Sequence, residues 1–198
     1  RNLPDRSVLY GTCDESLGRP FPAIADVVEH AELHNPGLLK RLEAAASTDA
    51  LRQLIGTDDD LEPGRETSRT ALLAALGALL SDVTGAHGPV LVIDQLQDAG
   101  SDTLEVLGRL IGPLAPAPVT VIGLTQGAGL EAGTPLATWL NTLSPVVGVV
   151  EVRLGPLDAS ATHELAVALG SPRDGSPQLH RQSGGNPMFV EHLVRDTE

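Results

Sequence analysis

The period of the apolar positions changes along this chain, and the changes mark out its elements. Val90-Leu-Val-Ile93 is an unbroken β-prone run that opens after Gly88-Pro89 and stops at Asp94, which predicts a strand buried on both faces within a parallel sheet. Residues 119–125 predict a second buried strand, 7–10 a short one ended by Gly11, and 146–152 another, interrupted by Gly148. Between these runs the period becomes helical. Apolar residues at 24, 27, 28 and 31 share one helical face, and Pro20 and Pro22 bar a helix before about residue 22. Asn35 and Pro36 read as the cap and first turn of a second helix through Leu38, Leu39, Leu42 and Ala45. A short helix from Thr48 or Asp49 to Ile55 follows, then a long one over 66–83 carrying Leu72, Leu73, Leu76, Leu79 and Leu80. Ser101-Asp102 open the next, Thr134 caps another with Pro135 at its first position, and Asp158 or Ser160 opens one over 161–169. A last pair, 174–183 and 187–195, is separated by Gly184-Gly185-Asn186-Pro187. Strands alternating with helices in this order predict an α/β fold with a parallel sheet in three layers and right-handed crossovers.

Composition narrows the picture. A length of 198 residues suits one domain, or one domain with a small appendage. With 41% hydrophobic but only 2% aromatic residues, the core must rest on Leu, Val, Ala and Ile. A net charge of −13, from 13 basic against 26 acidic residues, argues against a nucleic-acid surface. Cys13 is the only cysteine, so no internal disulfide or Cys-based zinc site can form, and it reads as a buried small apolar residue. His30 and His34 are four apart on a helix without an evident third ligand. The acidic stretch 56–64, with Asp58-Asp-Asp60 and Glu62, lacks the spacing of a calcium loop and reads as a solvated connection. No apolar run approaches the ~20 residues of a membrane span, and the first residues do not form a signal peptide, so a reducing, cytoplasmic setting is expected.

The chemistry centres on Asp94. A carboxylate at the carboxyl end of a buried parallel strand lies where ligands bind in open α/β sheets, and in a nucleotide-binding fold it holds Mg²⁺ beside the phosphates. The plainer reading is an Asp that caps the following turn. A phosphate loop of the form Gly-x-x-x-x-Gly-Lys-Ser/Thr is missing from these residues; the glycines of Gly127–Gly133 have no lysine, and Lys40, the only lysine, falls mid-helix.

Several motifs together resemble one family. Residues 8–22 look like the second strand and following loop of STAND-type AAA+ ATPase domains, found in large actinobacterial LuxR-type and SARP-type transcription regulators and beside some nucleotide cyclases. Residues 66–69 resemble the helix ahead of Walker B, 90–99 Walker B and its extension, and 119–126 the sensor-1 strand. Gly185-Asn-Pro-Met-Phe-Val-Glu191 is similar to a Gly-Asn-Pro signature of the same domains. The resemblance implies a partial P-loop NTPase α/β core over 1–155 that starts just after its phosphate-loop unit, the start of a helical lid over 156–198, and hence a part of a longer protein. It implies Asp94 as the Mg²⁺ ligand and Gly185, Asn186 and Pro187 as the turn that packs on adenine. It also implies departures. Gln95 stands where a second acid polarises the attacking water, and an amide can orient water but cannot take its proton. Gln126 stands where an Arg senses phosphate charge.

The expectation is a regulatory module that is ATPase-like, degenerate for hydrolysis, and able to hold ATP or ADP with Mg²⁺ only if a phosphate loop is supplied. Its partners would be other domains of a longer regulator or further copies of itself, with neither nucleic acid nor membrane touched by this segment. The alternative is a pseudo-ATPase scaffold or protein-interaction domain with no nucleotide role; an active ATPase of the same fold fits less well.

Overall fold

Three β-prone runs pair side by side in the first part of the chain: β1 (Val8–Thr12), β2 (Val90–Asp94) and β3 (Thr120–Gly123). The computed structural model describes residues 6–14, 19–43, 48–55, 69–83, 88–112, 115, 118–171 and 176–196. The acidic stretch 56–64 with Asp58–Asp60, residues 66–68 of the long helix, His87, most of the proline turn at 113–117 and residues 174–175 lie outside these described residues. The chain divides into two units, Arg1–Val149 and Val150–Glu198, so the boundary falls at 149/150 beside the 155/156 read from the sequence.

The sheet of the first unit is parallel and ordered β1-β2-β3. Val8, Tyr10 and Thr12 stand level with Val90, Val92 and Asp94, and Val90 and Val92 with Thr120 and Ile122. Because strand side chains alternate, this register puts even-numbered residues of all three strands on one face and odd-numbered ones on the other. The odd face is packed: Leu9, Leu91 and Ile93 are buried and join the core with Cys13. Helix α1 (Pro22–His34) lies so close that a Cβ on Gly11 would sit 2.1 Å from the Ala23 carbonyl oxygen.

The even face is bare. Val8, Tyr10 and Ile122 are 46%, 40% and 45% exposed, and Leu124 just past β3 is 43% exposed. The start of β2 is shielded, where Arg6, ahead of β1, reaches the Thr120 hydroxyl at 3.5 Å and Val90 is buried. Topology explains the asymmetry. The steps β1 to β2 and β2 to β3 run in one direction, and right-handed crossovers in one direction place their helices on one face. Those helices are α1, α2 (Leu38–Glu43), α3 (Asp49–Ile55) and α4 (Arg69–Asp82) in the first crossover and α5 (Ser101–Ile111) in the second. Helix α6 (Pro135–Leu143) adds to them by setting Trp139 against Gly108 of α5. The three layers expected from the sequence are therefore two layers among the described residues.

Three further expectations are corrected. The strand expected at 146–152 does not form: Val150, Val152 and Leu154 are 84%, 74% and 92% exposed, and the sheet stops at β3 among the described residues. A strand exists only where its backbone groups find a ladder, and the isolated run, broken by Gly148, has none. The strand expected at 119–125 is shorter and, far from buried, forms an exposed edge. The third correction concerns Asn35, which closes α1, its N–H donating to the Ala31 carbonyl, instead of opening α2. Gly37 at φ +81° turns the chain, and both oxygens of Glu32 on α1 accept backbone N–H groups of Gly37 and Leu39 at 2.8 and 2.9 Å. A carboxylate from the preceding helix thus caps α2 in place of a local residue.

The second unit holds α7 (Ala159–Ala168), α8 (Ser176–Ser183) and α9 (Pro187–Arg195) around a small core of Ala166, Val190 and Val194. The Asp158 side chain caps α7 by accepting the Ala161 N–H at 2.8 Å. No helix among the described residues is long and apolar enough to cross a membrane.

Candidate functional site

Asp94 ends the central strand, and its carboxylate belongs to the bare even face. Tyr10 is on the same face, level with Val92, so its long side chain reaches one step along to donate its hydroxyl to Asp94 Oδ2 at 2.8 Å. The Gln95 backbone N–H donates to Oδ1, also at 2.8 Å. The Asp94 carbonyl accepts the Cys13 N–H at 3.0 Å, which carries the sheet ladder past the end of β1. The phenol of Tyr10 is held above its ordinary 10.0, chiefly because it donates to a carboxylate; a hydrogen bond with Thr12 acts in the opposite sense.

The chain turns sharply after Asp94 because Gln95 adopts a left-handed conformation, φ 52° and ψ 40°. A non-glycine residue in that region is uncommon and costs about 1 kcal/mol or more. Two contacts hold it there. The Leu96 N–H donates to the Leu124 carbonyl at 2.9 Å, and Gln97 Oε1 accepts the Gln126 N–H at 3.2 Å. Asp94, Gln95 and Gln126 therefore share one rim at the carboxyl ends of β2 and β3.

A cleft of about 660 Å³ opens at this rim on the helix side, lined by Cys13, Asp14, Gln95, Gln97, Asp98 and the start of α5. Asp94 is not among its lining residues, because parity aims its carboxylate at the opposite face. A second cleft of about 360 Å³ shares Cys13 and Asp98 and adds Arg19. Arg19 is committed elsewhere: it pairs with Asp26 and, at 2.7 Å, with Glu29, while Asp26 Oδ2 also accepts the Thr12 N–H at 2.9 Å. Tyr10, Asp14 and Arg19 were not singled out from the sequence. Tyr10 was within reach, since even parity in β1 and β2 with a parallel register places it beside Asp94.

Among the described residues no three His, Cys, Asp or Glu side chains gather as a metal cage. Mg²⁺ needs less, because it is commonly held by one or two carboxylates plus phosphate oxygens and water. Asp94 fits that pattern: each of its oxygens accepts one hydrogen bond and keeps lone-pair capacity. His30 and His34 stack with ring centroids 4.1 Å apart, offering faces to each other. The His30 pKa is lowered, first by burial and then by His34.

In the second unit, Gly184 and Gly185 have φ of 58° and 75°. The Gly185 carbonyl accepts the Leu157 N–H at 2.8 Å, and a Cβ on Gly185 would lie 2.2 Å from the Leu157 carbonyl oxygen. Asn186 then caps α9, its Oδ1 accepting the Met188 N–H at 3.0 Å, with Pro187 at the first turn. These bonds account for Gly185, Asn186 and Pro187 as a helix stop and restart; Met188 and Phe189 beside them are 57% and 49% exposed.

No family model matches the chain, and no curated protein matches it.

Proposed function

We propose that this chain is the switch module of a signalling or transcription regulator, of the P-loop NTPase (STAND/AAA+) type, in which nucleotide state would set the packing of neighbouring domains. The observation that carries the reading is Asp94: an anchored carboxylate at the carboxyl end of the central parallel strand, opening onto a bare sheet face. Two other features support it. The outer edge of β3 is unpaired among the described residues, and the even face beside it exposes Val8, Tyr10, Ile122 and Leu124. The resembled domains carry a strand, a phosphate loop and its helix in the middle of their sheet, and such a unit would meet an open edge and an open face together. In this reading the setting is cytoplasmic, and the acidic surface makes no nucleic-acid contact of its own.

The roles follow from the residues. Asp94 would hold the Mg²⁺ that accompanies ATP or ADP, which supplies charge neutralisation at the phosphates. Gln95 can orient a water by hydrogen bonding but cannot accept its proton, and Gln126 brings no positive charge to a leaving phosphate. Binding without efficient hydrolysis is the expected behaviour. Gln95 and Gln126 equally favour a second reading, a scaffold with no nucleotide at all.

Calorimetry of ATP·Mg²⁺ on the product of the complete gene separates the two. Binding that Asp94→Asn weakens at least tenfold supports the switch, and absence of any binding supports the scaffold. Robust turnover by the natural protein, or no gain in Gln95→Glu, counts against the degenerate-site argument.

A further inference from the structure

We infer that Tyr10 is a positioning residue for Asp94, holding its carboxylate in the one orientation that a hard divalent cation would meet; the inference rests on the cation role proposed for Asp94. A carboxylate has about four lone-pair directions, and here one on each oxygen is occupied by an internal donor at 2.8 Å. The donors come from separate frames, the phenol from β1 and the N–H from the strained turn after β2, so together they fix the torsions of the side chain. The remaining lone pairs are left for a ligand. Packing does not explain the tyrosine: it is 40% exposed on a bare face, where a Phe or Val would serve as well, and only the hydroxyl reaches Asp94. No described ion pair holds Asp94 in its place. Capture of a cation by a free carboxylate must first freeze its rotamers, whereas a clamped one arrives ordered. Donors that orient ligating carboxylates in this way typically change metal affinity about 10–100-fold when removed.

The test uses Mn²⁺ alone on the ¹⁵N-labelled chain, comparing the natural protein with Tyr10→Phe and Asp94→Asn. Paramagnetic broadening of the Thr12 and Gln95 amide signals reports an ion at Asp94, even a weakly held one. The expected result is broadening in the natural protein, its loss in Asp94→Asn, and a midpoint about tenfold higher in Tyr10→Phe, with the other amide positions unchanged. An unchanged or tighter midpoint in Tyr10→Phe overturns the positioning role while leaving Asp94 as a ligand. Broadening that ignores Asp94→Asn, or none at these amides, removes the cation role of Asp94 and the inference with it. A second measurement needs no metal. Tyr10 is the only tyrosine, so a Cζ-labelled tyrosine gives one signal, and it must move in Asp94→Asn if the hydrogen bond exists in solution.

Discussion

Gly184 and Gly185 provide an internal control for how the turn before α9 is held. Both have positive φ, so an alanine at either pays the left-handed penalty of about 1–2 kcal/mol. Their surroundings differ. A Cβ at Gly184 meets nothing within 4 Å, whereas one at Gly185 would lie 2.2 Å from the Leu157 carbonyl oxygen and 3.1 Å from its nitrogen. Both of those are backbone atoms that no rotamer change can remove. The Gly185→Ala chain must therefore open the contact and lose the Leu157 N–H to Gly185 carbonyl bond, worth about 1 kcal/mol more. The sum is about 1–2 kcal/mol for Gly184→Ala and about 2–3 kcal/mol for Gly185→Ala. The Val190 amide reports it directly, since it donates to the Asn186 carbonyl in the first turn of α9. Hydrogen exchange at Val190 should quicken about five- to thirtyfold in Gly184→Ala and about fivefold more than that in Gly185→Ala, at 1.4 kcal/mol per tenfold. Equal acceleration in the two variants would refute the reasoning, because it would leave backbone conformation as the whole effect and the Leu157 contact as idle.

Four more outcomes are expected elsewhere. Asp94→Asn should bring the Tyr10 phenol down toward 10.0, read by tyrosinate absorbance in a chain with no other tyrosine; a pH titration that stays put would deny the bond. The raised pKa also sets a sign: its contribution to stability is complete below 10.0 and is lost as pH rises through the folded value, and Tyr10→Phe should flatten that limb. His30 works the other way. Its lowered pKa means that the unfolded chain takes up the proton first, so its contribution is complete above 6.5 and lost as pH falls through the folded value; His30→Gln should reduce that loss in urea midpoints. Gly11→Ala should cost about 3 kcal/mol in chemical denaturation followed through Trp139, because its Cβ would sit 2.1 Å from the Ala23 carbonyl and force α1 off the sheet. A loss below about 1 kcal/mol there would mean that α1 docks with slack.

Local chemistry was legible wherever a signal and its consequence lie within one turn of the chain. Thr134 with Pro135, and Asp158, cap the helices they announce, since a cap is decided by side chains two or three residues from the backbone they serve. Asn35 was misread for the same reason in reverse. Its neighbour Pro36 is an ordinary first-turn proline, and nothing local reveals that Glu32, from the previous helix, takes over the capping. In the site, Asp94 could be placed at a strand end from its own run of residues. Its partner Tyr10 needs the pairing register, which joins positions 84 residues apart.

The run at 146–152 fails for a deeper reason, which ties the fold to the proposed function. Its composition is as β-prone as that of β2, yet β2 is a strand and this run is not, because propensity describes fitness for a ladder and does not supply one. Among the described residues the ladder ends at β3, whose Thr120 and Ile122 are exposed, and the face beside it is uncovered because both crossovers step the same way. In the proposed reading, the open edge and the bare face would receive a strand and helix of the kind that the resembled domains place there. The prediction is concrete. If a strand and helix of the complete protein occupy that edge and face, amides of β3 and the Tyr10 side chain should gain protection in the complete gene product relative to this chain. Equal protection in both would separate Asp94 from any phosphate-bearing neighbour and leave the scaffold reading as the stronger one.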